Sequence, residues 1–125
     1  MGLLDSLLGN ASEVDPRRLQ EEIAQVLSAG EVVEKGYQLF RDSFIFTNRR
    51  LILIDRQGMT GKKVEYRSIP YKSITQFSVE TAGHFDLDAE LCIWISGIPE
   101  PIRKTFNRRI SVYEVQAVLA SYVTR

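Results

Sequence analysis

The residues best suited to metal chemistry are three acids near position 88. Asp86, Asp88 and Glu90 alternate along a stretch that has the pattern of a strand, so their carboxylates would share one face and could converge on a hard cation. A calcium loop needs more oxygen ligands and a sharp glycine turn, and this stretch lacks both. We therefore interpret the three acids as a polar strand face opposite arginines, and we expect no metal site.

His84 and Cys92 are the only histidine and the only cysteine of the chain. A zinc site needs four nitrogen or sulfur ligands, which one chain cannot supply from this pair. A Cys-His pair is also an arrangement for nucleophilic catalysis, but Cys92 lies in the middle of a strand beside Trp94, where cysteine packs as a small apolar residue. We expect no catalytic residue, no cofactor and no internal disulfide.

The segment Gly58–Lys63 combines two glycines with two lysines, as phosphate-binding loops do. Its glycines stand too close together, and no serine or threonine follows the first lysine. We interpret the segment as a solvated hairpin connection. Its lysines could still contribute to a diffuse anion-binding patch, for which the candidates are Arg49, Arg50, Lys62, Lys63 and Arg67.

The charge totals limit the classes of partner. The 125 residues include 16 lysines and arginines and 16 aspartates and glutamates, so the net charge is zero and nucleic-acid binding is not expected. The charges are unevenly distributed. Most of the charged residues in positions 1–34 are acidic, and most of those in positions 35–73 are basic. The basic segment could attract an anionic partner, or the segments could attract each other or a neighbouring subunit.

The first eleven residues form a pattern of their own. Leucines fall at helical spacing, but an isolated helix of this length is marginal in water, so we expect it to be ordered only when docked. It could dock on its own domain, on a sister subunit or on a membrane, and the absence of lysine and arginine counts against the membrane. The candidate contact residues for a second copy or another partner are Leu3, Leu4, Leu7, Leu8 and Trp94.

A second helix is predicted over Asp15–Leu27. Asp15 suits the N-cap, Pro16 suits the first helical position, and Gly30 suits the left-handed conformation that ends the segment. We assign residues 1–30 to a helical N-terminal extension. No secretory signal and no apolar run of about 20 residues is visible, so we expect a soluble cytoplasmic protein.

From Glu31 onwards the hydrophobic period changes from 3.6 to 2, which predicts strands. We expect seven, at residues 31–40, 42–47, 50–56, 62–70, 74–82, 88–96 and 101–107. Asn48 would occupy a tight turn in which asparagine tolerates a positive φ. In the sixth strand Leu91 and Ile93 point to one face, and Cys92 and Trp94 to the other. An exposed Trp94 needs cover from the N-terminal helices or from a partner.

A helix from about Val112 to Tyr122 ends the chain, and Ser111 and Glu114 provide a capping box at its start. Its apolar stripe, Val112, Val115, Leu119 and Tyr122, would close one end of a sheet. Strands followed by a single helix indicate a mainly β barrel or an α+β roll over residues 31–125, and exclude alternating βαβ units.

Three stretches of the chain resemble the bacterial pleckstrin-homology (PH) family. They are Thr47–Leu53, Ser68–Ile74 and Glu80–Leu91, and Met1–Asp5 and Gly9–Glu13 are similar to that family's N-terminal extension. The resemblance implies a PH-like barrel of seven antiparallel strands capped by a C-terminal helix. It also implies an assembly domain without assigned chemistry, because some similar domains form ring-like homo-oligomers.

Together these observations predict a non-enzymatic interaction domain that associates with copies of itself. The alternative is a peripheral membrane adaptor that binds anionic headgroups through the basic middle segment and inserts the N-terminal leucines. The resemblance does not support this alternative by position. The lipid-binding loop of eukaryotic PH domains joins the first two strands, where this chain has only Arg41-Asp42.

Overall fold

The computed structural model describes residues 12–39, 41–81, 88–107 and 112–125. They belong to two compact units that divide between Pro70 and Tyr71. The first unit contains β1 (Ser12–Val14), α1 (Pro16–Glu22), a 3-10 turn (Ala24–Val26), β2 (Val33–Gln38), β3 (Asp42–Thr47), β4 (Arg50–Gln57) and β5 (Lys63–Pro70). The second contains a 3-10 turn (Tyr71–Ser73), β6 (Ile74–Thr81), β7 (Asp88–Ile95), β8 (Ile102–Asn107) and α2 (Val112–Val123).

The seven strands predicted from the sequence are β2 to β8, and the short β1 is an addition. The first unit holds one antiparallel sheet in the order β1-β2-β3-β4-β5. Arg50 of β4 faces Pro70 of β5, and Gln57 faces Lys63, so the two strands pair along their whole length. This order leaves β5 at one edge of the sheet.

Both faces of the central strands of this sheet are buried, as their apolar sequence predicted. On one face Ile45, Ile52 and Ile54 form a core with Leu19 and Ile23, which belong to α1 and its C-terminus. On the opposite face the buried residues are Phe44, Phe46, Leu51 and Leu53. The helix begins where the sequence predicted, because the Asp15 carboxylate accepts a hydrogen bond of 3.0 Å from the Arg17 amide.

The helix ends earlier than predicted. The sequence suggested a continuous helix to Leu27, but α1 ends at Glu22, and a separate 3-10 turn follows. Ile23 leaves the helical conformation with φ −111° and ψ 20°, and its side chain is buried in the core. The Val26 carbonyl then accepts a hydrogen bond from the Arg50 side chain, which gives the next turn a partner in the sheet.

Asn48 does not adopt the positive φ predicted for the β3–β4 turn, since every described residue with a positive φ is a glycine. The asparagine acts through its side chain. Its Oδ1 accepts a hydrogen bond of 2.8 Å from the Val32 amide, and its Nδ2 donates to the Gly30 carbonyl at 3.4 Å. The turn is therefore fastened to the segment that leads into β2. Gly30 itself has the predicted left-handed conformation, with φ 77°.

The second unit holds an antiparallel sheet in the order β6-β7-β8, with α2 packed on β6 and β7. The predicted stripe of this helix is confirmed for Val112, Val115 and Leu119, which are buried. Tyr122 continues the stripe by stacking on Tyr71, with the ring centroids 4.7 Å apart. Ser111 of the predicted capping box lies outside the described residues.

Candidate functional site

Arg50, a member of the predicted anion patch, is held in an ion pair inside the first unit. Its Nε lies 2.9 Å from Glu31 Oε2, and its Nη2 lies 2.9 Å from Glu31 Oε1. The same guanidinium donates to the Val26 carbonyl and to the Ser68 hydroxyl, at 2.6 Å each. The Glu31 side chain is fully buried. Arg50 therefore joins the turn after α1 to β5, and four of its five N–H groups donate to acceptors within the chain.

The Glu31 carboxylate is stabilised in its charged form. Hydrogen bonding by Arg50 lowers the pKa of Glu31 from 4.5 to about 2 against the opposing effect of burial, and Ser28 and Thr47 contribute in the same direction as Arg50. The Thr47 hydroxyl donates to Glu31 Oε2 at 2.6 Å, and the Ser28 amide donates to Oε1 at 2.9 Å. A carboxylate with this many donors serves to fix the β3–β4 turn.

The remaining cations of the predicted patch are not gathered at one place. Arg49 lies exposed in the β3–β4 turn, with its Nη1 3.5 Å from the Ser28 hydroxyl. Lys63 lies at the opposite end of the β4–β5 ladder, about 23 Å away at roughly 3.3 Å per residue. Lys62 adjoins Lys63, and Arg67 stands between the two ends. The structure therefore separates the predicted patch into two clusters and one intermediate arginine.

The connection between β4 and β5 is a glycine-containing hairpin, as predicted. Gly58 and Gly61 adopt positive φ values of 80° and 68°. Met59 stands between them with 98% of its surface exposed, and Lys62 and Lys63 follow directly. The tip therefore presents an apolar side chain next to two cations.

Strand β5 is exposed on both of its faces. Every residue from Lys63 to Ser68 is exposed, and only Ile69 near the end of the strand is buried. Tyr66 and Val64 are among the large apolar side chains that remain open to solvent. An edge strand of this kind offers its backbone and its side chains to an additional strand.

Cys92 is buried, although the alternation of β7 placed it on the polar face. The residue opposite it on β8 is Arg103, whose Nη1 lies 3.3 Å from the thiol sulfur and 3.1 Å from Glu90 Oε1. The long arginine covers the thiol, and burial raises the pKa of Cys92. This environment agrees with packing and disfavours the thiolate that a nucleophile needs.

Glu90 forms an ion pair of 3.1 Å with Arg103, which lies diagonally across on β8, whereas the residues directly opposite Glu90 are Thr105 of β8 and Glu80 of β6. His84 and Asp86 are outside the described residues, and of Asp88 only the backbone is described. Within residues 12–39, 41–81, 88–107 and 112–125, no three His, Cys, Asp or Glu side chains are grouped as metal ligands would be.

Trp94 is half-buried and lines an open cleft of about 620 Å³ in the second unit. Its carbonyl accepts a hydrogen bond of 3.3 Å from the Thr75 hydroxyl across the β6–β7 pair. Ile98, which is 45% exposed, and Pro99 complete the apolar part of the cleft. The other predicted contact residues, Leu3, Leu4, Leu7 and Leu8, lie outside the described residues.

The helices within the described ranges are all too short or too polar to cross a bilayer.

Two antiparallel sheets with a short N-terminal helix and a C-terminal helix define a PH-like, mainly β fold. A structure of a DUF1696-family protein with a pleckstrin-homology domain from Shewanella loihica PV-4 matches with a TM-score of 0.81 and 49% identity, over 92% of this chain and 98% of that one. The pleckstrin-homology domain from Shewanella amazonensis SB2B matches with a TM-score of 0.81 and 50% identity, over 89% of this chain and all of that one.

Comparison of sequences gives the same result. The Bacillus subtilis (strain 168) protein YjqA is 57% identical over 122 residues, which are 97% of this chain and 98% of YjqA. The model of the bacterial PH domain family matches residues 2–123. The chain belongs to the bacterial PH domain family, which confirms the resemblance and the fold class predicted from the sequence.

The sequence analysis missed Glu31, Glu65 and Tyr66 as residues of interest. Glu31 carries no local signal, because its partners lie on other elements. The β5 residues did carry one, since Lys63, Glu65 and Arg67 alternate in sign along one face of a strand whose other face includes Tyr66. Only Arg67 and the two lysines were selected there, as cations and without regard to the acid between them.

Proposed function

We propose that this chain is a non-enzymatic interaction domain that associates with copies of itself. The observation that carries the proposal is the exposure of β5 along six consecutive residues, Lys63–Ser68, at the edge of the first sheet. An unpaired strand edge is a template for pairing with another chain, and most proteins cover or shorten it. The half-buried Trp94 at the open cleft adds a second surface of a type common in interfaces.

The solution mass of the full chain tests this proposal. One chain has a mass of 14.3 kDa, and light scattering after size exclusion should give a multiple of that value which increases with concentration. A chain lacking residues 1–11 is compared with it, and a lower mass for the shortened chain would assign part of the association to the leucines. A full chain that stays at 14.3 kDa over about a hundredfold range of concentration would contradict self-association.

Binding to an anionic membrane surface is a second candidate, favoured by the β4–β5 hairpin tip. Met59 is almost fully exposed, and Lys62 and Lys63 stand beside it. An apolar side chain that enters the headgroup region next to lysines gains both burial and attraction to anionic lipid.

Co-sedimentation with phosphatidylserine-containing vesicles tests the second candidate. We expect binding at low salt, a loss of binding at high salt, and weaker binding of the Lys62→Glu/Lys63→Glu variant. Lys104→Glu is the matched control, because this lysine lies on β8 in the second unit. Absence of binding at low salt would remove the membrane candidate and leave self-association untouched.

A further inference from the structure

The cleft beside Trp94 begins at an irregularity of the second sheet. Gln76 of β6 pairs with Trp94 of β7. The next pair is Ile74 with Ile95, so Thr75 is an extra residue between two pairs. This is a β-bulge, a feature that often re-aims side chains next to functional sites. The Thr75 hydroxyl donates to the Trp94 carbonyl at 3.3 Å, which holds the backbone of the tryptophan from the neighbouring strand.

A tight turn after β7 forms the other wall of the cleft. The Ile98 amide donates to the Ile95 carbonyl at 3.0 Å, and Gly97 has φ 82°, which together define a type II turn. The Ser96 amide donates to the Ser73 carbonyl at 2.8 Å, so the start of the turn is fastened to the segment before β6. Hydrogen bonds within the second unit therefore hold both walls, and the cleft is preformed.

Three polar groups around the cleft are available to a ligand. The Gln76 amide, the Ser96 hydroxyl and the Trp94 indole N–H make no hydrogen bond to any residue in the described part of the chain. Because Gln76 pairs directly with Trp94, their side chains project from the same face of the sheet. An amide and a hydroxyl each offer a donor and an acceptor, whereas an indole offers a donor alone. The cleft can therefore donate and accept hydrogen bonds next to an aromatic ring.

The lining of the cleft carries no charge. None of the eight residues that line it is an acid or a base. A phosphate, a nucleotide or a charged peptide would lose the water around its ions without gaining an opposite charge. A purely apolar ligand would cover the amide, the hydroxyl and the indole N–H without giving them partners, which costs free energy. These properties favour an uncharged ligand that combines an apolar face with polar groups at its edge.

We propose that this cleft binds an uncharged saccharide chain, with one sugar ring stacked on the Trp94 indole. The C–H groups on one face of a pyranose ring are apolar and slightly positive, which suits the negative face of an aromatic ring. The hydroxyls at the edge of the sugar ring are donors and acceptors, as are the Gln76 amide and the Ser96 hydroxyl. The cleft volume of about 620 Å³ lies within the range of roughly 300–1,000 Å³ for small-molecule sites.

A proline-rich peptide is the other ligand that an aromatic ring suits, since such peptides dock in aromatic-lined grooves. Proline has no N–H, so these peptides accept hydrogen bonds from a groove and donate few. The side-chain oxygens of Gln76 and Ser96 would then receive no donor from the ligand. The balance of donors and acceptors in the cleft therefore favours the saccharide.

Fluorescence titration of the full chain tests the proposal, because Trp94 is the only tryptophan in the sequence. The uncharged probes are cellohexaose, maltohexaose and chitohexaose, and decaproline is the competing peptide. We expect a saturable blue shift of the emission with at least one hexasaccharide, at a dissociation constant of about 0.1–1 mM. No saturable shift with any of the three up to about 10 mM, or a shift with decaproline alone, would overturn the proposal.

Calorimetry with the hexasaccharide that binds tests the position of the site. Trp94→Ala removes the stacking surface, and Gln76→Leu removes a donor and an acceptor. We expect each substitution to raise the dissociation constant at least about tenfold. Tyr113→Ala is the matched control, because this tyrosine is 63% exposed on α2 and does not line the cleft. Unchanged thermal unfolding by circular dichroism verifies that each variant folds, and wild-type affinity in either folded cleft variant would overturn the site.

The same fluorescence separates this inference from the proposed self-association, whose main support is the edge strand β5. If a second copy covered the cleft, the Trp94 emission would shift when the protein is diluted without sugar. We expect a constant emission over the concentrations used for light scattering. A shift on dilution would overturn the saccharide site, whereas a monomeric protein whose emission responds to sugar would contradict self-association alone.

Discussion

Glu31 shows how a single residue can organise several elements. Its carboxylate receives donors from Ser28, Thr47 and Arg50, which come from the turn before β2, the end of β3 and the start of β4. Pattern analysis cannot find such a residue, because the partners lie up to 19 positions apart and an isolated glutamate looks like any solvated acid. For the same reason Arg50 was interpreted as a free cation.

Replacing Glu31 by glutamine should remove a pH-dependent part of the stability. The folded-state pKa of about 2 lies below the ordinary 4.5, so the charged carboxylate stabilises the fold above about pH 5 and this contribution is lost as the pH falls towards 2. A shift of this size corresponds to roughly 3 kcal/mol at neutral pH. Urea unfolding from pH 7 to pH 2 should show wild type and Glu31→Gln converging in acid.

The control for this prediction is Glu21→Gln, which removes an exposed carboxylate from α1. Its free energy of unfolding should stay parallel to that of wild type over the whole pH range. If the free energies of unfolding of wild type and Glu31→Gln differed by a constant amount down to pH 2, the prediction that folding lowers the pKa of Glu31 would be contradicted.

At the scale of elements, the sequence predicted what depends on local pattern. The strands follow from alternating apolar residues, and the start of α1 follows from Asp15 and Pro16, whose effects act within one turn. The predicted end of α1 was wrong, because the observed end depends on contacts of Ile23 and Val26 with the sheet. The packing of Cys92 was predicted, but its cover was not, because Arg103 belongs to the neighbouring strand.

The packing of α1 on the sheet depends on a glycine of β2. A Cβ atom at Gly36 would collide with the Leu19 side chain, which is buried in the core. We expect Gly36→Ala to lower the free energy of unfolding by about 1–3 kcal/mol, because Leu19 must leave its position or α1 must move. Chemical denaturation measures the loss.

The double variant Leu19→Ala/Gly36→Ala identifies the cause. Truncation of Leu19 makes room for the new methyl group, so the cost of Gly36→Ala should be smaller in this background than in the wild type. Strictly additive costs would show that the two residues do not compete for the same space.

At the scale of the whole molecule, the distribution of charge matters more than its total. The net charge is zero, and the sequence analysis used this to argue against nucleic acid as a partner. The useful detail lies within β5, where basic and acidic residues alternate over a few positions. Composition averages such a pattern away, and it becomes meaningful only when the strand order shows that β5 is an edge.

If opposite charges on β5 hold two copies together, association should weaken with salt. The pairs would be solvent-accessible, and salt screens the attraction between such charges beyond a separation of about 10 Å at 0.1 M and beyond about 3 Å at 1 M. We expect the dissociation constant of the wild type to rise at least about threefold between low and high salt. Analytical ultracentrifugation over a sodium chloride series measures this rise.

The neutral variant Glu65→Gln/Arg67→Gln is the matched comparison. It replaces both charged side chains with neutral polar ones, and its association should be nearly independent of salt. Equal salt dependence in the two proteins would place the responsible charges elsewhere.

The open edge of β5 also sets a limit on stoichiometry. A strand that pairs with its own copy about a two-fold axis is used up by that contact, so the interface closes at two subunits and cannot propagate into a filament. An assembly larger than a dimer would need a second, heterologous patch. If that patch closed a cyclic ring and left β5 available, two rings could join through this edge, giving dihedral symmetry and an even number of subunits.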